Sequence, residues 1–367
     1  MINILISGIG PRRGGIGSVI VNTLKEIDRE KFMPTVLLTY DSLFEEDLKE
    51  LNVPVLKICP FGKSIKKYNS ELEKIFATNN FHYVWVNNTS KVNVEIFRLA
   101  KKYGVTTISH SHGSASEGRL YKRFIYKIWE KFTSRTFYKN LDIAIACSQK
   151  SANYFYSKKY IAKNNVYVLP NSIDTKRFQF SETIRNDVRD ELCIKNDEKA
   201  VYAVGRITQV KNPYFMVNLI AMLPMTYKLV LIGAGDMTED VKDYISKLSQ
   251  EDRVIMLGSR NDVDRLINGA DIYILPSFSE GYPIAVIEAQ ANGLPCIISD
   301  TVTSEVVIFD DCKRVSLKDI NAWRKIALEI ENKNREEFAR RVEELGFDNK
   351  AYAAKFEKIL LSNLYGV

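Results

Sequence analysis

Short apolar runs alternate with amphipathic stretches along almost the whole chain of 367 residues. In the first half, apolar runs predict buried strands at residues 2–7, 33–39, 53–58, 83–86, 105–109, 143–147 and 166–169, with helices between them, as at 18–27, 65–77 and 92–103. Short strands separated by helices imply parallel βαβ units. The alternation pauses at LPNSIDTKRF, residues 169–178, where Pro170 and Asn171 interrupt regular structure. It resumes with strands at 200–204, 228–233, 254–257, 271–275 and 295–299. Two doubly wound halves of class α/β therefore meet near residue 172, which sets expected domains of 1–172 and 173–349. The stretch 321–365 is charged and helical in pattern, and there is no short repeat or low-complexity segment.

Composition narrows the class. A hydrophobic fraction of 46% is ordinary for a globular chain, and the length suits two domains. No apolar run reaches the length of a transmembrane helix, and MINILISGIG enters a strand without the features of a signal peptide. The cysteines Cys59, Cys147, Cys193, Cys296 and Cys312 are scattered and form no CxxC pair, as expected of reduced thiols in a cytoplasmic protein. The net charge of +7 admits nucleic acid, an anionic membrane or phosphorylated substrates as partners.

The most informative stretch is DIYILPSFSEGYPIAVIEAQANGLPCIISD, residues 271–300. It reads as strand, loop, helix and strand. Pro283 suits the first helical turn, while Gly293 and Pro295 end the helix. The helix start around Gly281, Tyr282, Pro283 and Ile284 is an anion site by its dipole and by the first N–H groups of the helix. Glu280 precedes it and Glu288 lies inside it. On a continuous helix the two carboxylates would be about 12 Å apart, longer than hydrolytic acid/base pairs use. They read as separate hydroxyl acceptors on either side of a bound phosphate.

Other segments add charge and shape. In AVGRITQVKNP a strand ends at Gly205, with Arg206 and Lys211 beyond its C-terminal edge, where such sheets bind ligands. An arginine fork and a lysine point charge suit a diphosphate leaving group. ISGIGPRRGGIGSV fits the dinucleotide fingerprint poorly, yet a glycine loop meeting a helix start at Gly14, Gly15 and Gly17 suits a phosphate. TTISHSHGS carries His110 and His112; no His or Cys cluster accompanies them, so no metal site is expected. In residues 119–139, Arg123, Lys127, Lys131, Arg135 and Lys139 recur every four residues beside Leu120, Phe124, Ile128 and Phe132. That basic amphipathic pattern suits an anionic membrane surface. No nucleic-acid motif accompanies it, and nucleic acid is not an expected partner.

The spacing Pro276, Ser277, Glu280, Gly281, Glu288, Ala289, Gly293 and Pro295 resembles the signature of retaining glycosyltransferases of family 4, whose GT-B fold has two Rossmann-like domains facing a central cleft. The wording is most similar to the branch that builds capsular and exopolysaccharide units. The resemblance implies a nucleotide-diphosphate sugar donor, UDP-linked by preference and GDP-mannose second. It implies a glycan acceptor carried on a lipid such as undecaprenyl diphosphate, a peripheral seat on the cell membrane, and neither cofactor nor metal. Glu280 and His112, with His110 as the alternative, would then face the sugar, and Glu288 the ribose. Arg206, Lys211 and Gly281 to Ile284 would hold the diphosphate, joined by Gly14, Gly15 and Gly17. Gly258, Ser259 and Arg260 would lie against the base, and the terminal helix, 350–367, would pack on the N-terminal domain. Two departures stand out: Ser172 replaces the family's glycine at the linker, and the bulky Tyr282 follows Glu280-Gly281, free to stack on a sugar or to pack. A nicotinamide-dependent dehydrogenase and a silent nucleotide-sugar-binding protein are the competing readings.

Overall fold

A computed structural model describes residues 1–113, 120–331 and 333–365, with the backbone alone at 120–127 and 365. The chain forms two compact units, Met1–Ser172 with Asn349–Val367, and Ile173–Asp348.

The first unit holds a seven-stranded sheet: β1 Ile2–Ser7, β2 Phe32–Leu38, β3 Val55–Lys57, β4 Tyr83–Asn88, β5 Thr106–Ser111, β6 Ile143–Ala146 and β7 Val166–Val168. Their order is β3-β2-β1-β4-β5-β6-β7, with every pair parallel. The second unit repeats the scheme with β8 Lys199–Val204, β9 Tyr227–Ile232, β10 Val254–Gly258, β11 Ile272–Leu275, β12 Cys296–Ser299 and β13 Cys312–Val315. Its order is β10-β9-β8-β11-β12-β13, again parallel throughout. In both sheets the order reverses once, between β1 and β4 and between β8 and β11. Chains leave the sheet in opposite directions there and open a crevice at the strands' C-terminal ends. This is the two-domain GT-B architecture.

The predicted strands stand within a few residues of their expected bounds. The strand missed is β13, whose central Lys313 and Arg314 are exposed at the sheet edge and hide its period. The charged C-terminal stretch divides into helices Ile320–Glu329, Phe338–Glu344 and Asn349–Tyr365. The last belongs to the first unit. Tyr83 donates its hydroxyl hydrogen to the Leu360 carbonyl at 2.8 Å, and Phe356 packs 4.3 Å from Trp85. Ser172, where the family has glycine, takes no positive φ and is unstrained; its hydroxyl donates to Asn349 Oδ1 at 2.9 Å.

A buried charge docks the helix Glu182–Glu191 onto the second sheet. Asp271, just before β11, accepts from Arg185 at 2.5 Å, Arg189 at 3.1 Å and the Ala200 N–H at 2.7 Å. A carboxylate can be buried this far from water only when its oxygens are met in this way.

The strand ends beside the second crevice demand glycine. Gly233 has φ 141°, and a Cβ there would lie 1.9 Å from the Gly205 carbonyl oxygen. Gly233→Ala is expected to destabilise the second unit by about 2–4 kcal/mol, read as a loss of urea midpoint. Gly62→Ala, with open space around its Cβ and no positive φ, is expected to keep stability within about 1 kcal/mol. Equal midpoints for both variants would refute the packing account.

Candidate functional site

In the second unit, strand β8 ends at Gly205, whose φ of 144° turns the chain out of the sheet. A single 3-10 turn, Gln209–Lys211, follows, and Asn212 adopts the left-handed conformation, φ 56°, before Pro213 opens the helix Pro213–Met222. Asparagine tolerates that conformation better than most residues. This tight reversal brings Lys211 back over the strand end, where its side chain lies 3.2 Å from where a Gly205 Cβ would be. A cavity under the reversal is lined by Val204, Gly205, Arg206, Ile207, Lys211 and Leu275.

The loop after β11 meets this reversal. The Phe278 N–H donates to the Val210 carbonyl at 2.8 Å, and the Ser277 carbonyl accepts from Thr301 Oγ1 at 2.7 Å. Lys211 Nζ and Glu280 Oε1 form an ion pair at 2.7 Å, with the two side chains only 22% and 15% exposed. Partial burial makes such a pair stronger than a surface one, because water screens it less.

The helix Ile284–Ala291 begins one residue later than expected. Pro283 occupies its N-cap, with ψ 110°, and no side chain caps the end. The first N–H groups of this helix therefore stand ready for an anion. Its other end matches expectation, with Gly293 at φ 74°. Tyr282 is buried and its hydroxyl donates to the Glu305 carbonyl at 3.0 Å. Its ring packs inward, which settles the choice between stacking and packing.

Glu288 lies more than one turn into this helix. Burial pushes its carboxyl up to about 7, with the Arg177 charge opposing the shift and Asp264 adding to it. Arg177 itself clasps Asp264 at 2.8 and 3.4 Å. Sequence reasoning missed both residues. They are distant from Glu288 along the chain, and nothing local marks them.

Beyond β10, Gly258 has φ 65° and its carbonyl accepts from the Gly233 N–H at 2.7 Å, while Ser259 is exposed. The Arg260 guanidinium binds both oxygens of Asp262, each at 2.8 Å, and holds that carboxyl well below its usual range. Arg265 also reaches Asp262, at 3.2 Å. Asp262 and Asp264 make the only Asp-x-Asp spacing in the chain, and arginines occupy both carboxylates. Among the described residues, no group of three or more His, Cys, Asp or Glu is placed to hold a metal ion.

The remaining candidates lie in the first unit. Gly14 is the N-cap of the helix Gly15–Glu26, with no side-chain cap, and Gly14 and Gly15 are exposed. Gly17 has a packing reason instead: a Cβ there would lie 2.2 Å from the Phe44 ring. Arg13 is committed to Asp47 at 2.8 Å and to the face of Phe44. His112, past the end of β5, shares a hydrogen bond of 2.8 Å with Asn87 Oδ1, and burial lowers it to about 3, so the ring is neutral. His110 is fully buried between Trp85 and His112, with ring centroids 6.0 and 4.1 Å away, and neither ring nitrogen has a partner. That position suits a core residue, and of the two rings His112 is the one with partial access. His82 Nδ1 accepts from the Asn3 N–H at 3.0 Å, a structural role.

The basic helix spans Leu120–Lys139. The side chains of Leu120, Arg123, Phe124 and Lys127 lie outside the described residues. Lys131, Arg135 and Lys139 are exposed, together with Phe132 at 78%, Trp129 at 45% and Ile128 at 45%. The apolar side of this segment is therefore open, and the core contact is made by Phe137, 5.1 Å from Phe97. No helix among the described residues is long and apolar enough to cross a membrane.

Residues 184–358 match the family described as Glycosyl transferases group 1, and residues 13–177 match that described as Glycosyltransferase Family 4. EpsF of Bacillus subtilis (strain 168) is 25% identical over 307 residues, 81% of this chain and 79% of EpsF. The UDP-Gal:alpha-D-GlcNAc-diphosphoundecaprenol alpha-1,3-galactosyltransferase of Escherichia coli is 26% identical over 294 residues, 76% of this chain and 74% of that enzyme. Among solved structures, Anabaena HepE in complex with UDP and glucose superposes with a TM-score of 0.83 at 18% identity, covering 99% of this chain and 100% of HepE.

Glu288 makes stability depend on pH. Its folded value of about 7 lies above the ordinary 4.5, so the folded state keeps a proton that the unfolded chain has lost. The associated stability is complete below about pH 4.5 and is lost as pH rises through about 7. Glu288→Gln, which cannot ionise, is expected to exceed the wild type by on the order of 1–3 kcal/mol at pH 8 and by little at pH 5. A stability difference that stays flat between those pH values would count against the buried carboxyl.

Proposed function

The chain belongs to glycosyltransferase family 4, a family of transferases, and on that premise we propose that it moves a sugar from a nucleoside-diphosphate donor to a glycan acceptor with retention of anomeric configuration. The donor is UDP-linked in first preference and GDP-linked in second. The acceptor is carried on a lipid diphosphate of the undecaprenyl kind, in polysaccharide or lipid-linked sugar synthesis. The sequence relatives support this part of the reading: the Escherichia coli enzyme's name couples UDP-galactose to a diphosphoundecaprenol acceptor.

The observation that carries the proposal is the Lys211–Glu280 pair beside an uncapped helix start at the β8/β11 reversal. Departure of a nucleoside diphosphate concentrates negative charge on phosphate oxygens. Arg206, Lys211 and the helix start at Gly281 to Ile284 are the groups that would stabilise it, fixed in place before the reaction. Glu280 accepts hydrogen bonds from sugar hydroxyls, and Glu288, in its ionised form, from those of the ribose. Before the donor arrives, Glu280 keeps Lys211 folded over the strand end. The acceptor hydroxyl attacks C1 on the face the diphosphate leaves. The bond from C1 to the phosphate oxygen breaks as the new glycosidic bond forms, and the hydroxyl proton passes to the departing diphosphate. The cations required are side chains, and the proposal calls for no divalent ion or cofactor. Gly14, Gly15 and His112 stand at the C-terminal edge of the first sheet, where family members place donor contacts, and neutral His112 can donate or accept a hydrogen bond without adding charge.

A peripheral membrane seat fits a lipid-borne acceptor. Exposed Ile128, Trp129 and Phe132 can enter an interface while Lys131, Arg135 and Lys139 meet anionic headgroups.

Two outcomes check this reading. Lys211→Ala and Glu280→Gln are each expected to lower sugar transfer about 100-fold or more, and UDP-sugars, unlike NAD, should raise the wild-type melting temperature. Unchanged transfer in both variants would remove the assignment. The double variant Trp129→Ala/Phe132→Ala is expected to bind phosphatidylglycerol vesicles at least several-fold more weakly in a sedimentation assay while keeping its melting temperature; equal sedimentation would dismiss the membrane seat.

A further inference from the structure

Phe278 is the large side chain in the second unit that the site's chemistry has not absorbed. It stands 51% exposed, between fully buried Ser277 and the largely buried Glu280. A phenyl ring left in water forgoes the favourable transfer that burial would bring, and this one stands two residues from the Glu280 carboxylate.

Its backbone is not free to let the ring retreat. The Phe278 N–H is tied to the Val210 carbonyl at 2.8 Å, and the preceding carbonyl to Thr301 Oγ1 at 2.7 Å. Val210 adjoins Lys211, which is bound to Glu280 at 2.7 Å. The backbone that carries the ring is therefore tied to the segment bearing Lys211 and lies two residues from Glu280. Tyr282, the other aromatic of the same loop, is packed inward with its hydroxyl on Glu305 and cannot serve in its place.

We propose that Phe278 is a specificity-determining residue that stacks on the apolar C–H face of the donor's transferred sugar, while Glu280 takes that sugar's hydroxyls. A pyranose has a polar rim and at least one face rich in C–H groups. An aromatic ring and a carboxylate held two residues apart on one rigid loop address both features together, an apolar wall beside a few placed polar groups. The nucleotide makes no use of Phe278, because its charge and hydroxyls are met by Arg206, Lys211, the helix start and Glu288. The inference rests on the donor reading above.

The test separates sugar from nucleotide. The affinities of UDP and of the UDP-hexose giving the largest thermal shift among UDP-glucose, UDP-galactose and their N-acetyl forms are measured by calorimetry for the wild type, Phe278→Ala, Phe278→Leu and Phe278→Tyr. The increment in affinity from UDP to UDP-hexose is expected to fall about 3- to 10-fold in Phe278→Ala. It should fall less in Phe278→Leu and be retained in Phe278→Tyr, with UDP affinity within twofold throughout. An unchanged increment in Phe278→Ala overturns the proposal, and so does an equal loss for UDP and UDP-hexose, which would mean that the ring only supports the loop. A wild type that binds neither UDP nor any UDP-hexose overturns the donor reading, and this inference with it.

Discussion

The ion pair between Lys211 and Glu280 is the contact on which the proposed site of the second unit depends. Two loops leave neighbouring strands at the sheet's reversal and would otherwise diverge with their helices. The pair, with the hydrogen bond from Phe278 to Val210, closes them into one rim. It places a cation, a carboxylate and a helix start within a single pre-arranged surface, so that little reorganisation remains when an anion binds. The arrangement also spares both charges the cost of partial burial alone.

That rim exists because glycine lets backbones approach closely beneath it. Gly205 turns at φ 144°, and Gly233 packs against its carbonyl at a distance that forbids any side chain. The first unit solves the same problem in the same way: Gly8, after β1, takes φ 126° with the Asn87 carbonyl against it. Asn87 in turn holds His112. In both units a glycine follows the first strand and lets the backbone there approach its neighbour closely.

Charge is distributed by the same logic. Where carboxylates only hold the fold, arginines saturate them, as at Asp271 and Asp262. Glu288 is treated differently. Its nearest cation, Arg177, is occupied by Asp264, and burial raises the carboxyl toward neutrality. A carboxylate with unmet acceptor capacity in a half-dry place is poised to receive hydroxyl hydrogens, which a saturated one is not.

Much of this was legible along the chain. The alternation of apolar runs determined two parallel sheets with the linker near residue 172, because strands buried on both faces must be apolar throughout. Local spacing determined the Glu280–Glu288 stretch and the Gly205, Arg206 and Lys211 segment, since strand, turn and helix there are each set by nearby residues. Local pattern could not reveal β13, whose exposed charges mask an edge strand, nor the role of Gly17, which answers to Phe44 across the fold. It left open whether Tyr282 stacks or packs, and which histidine has access, because burial is a property of neighbours. Only the tertiary structure brought Arg177 and Asp264 to Glu288, left Phe278 standing in solvent, and opened the apolar side of the basic helix. These are contacts between segments far apart in sequence, and they are decided by how elements pack rather than by the residues within any one of them.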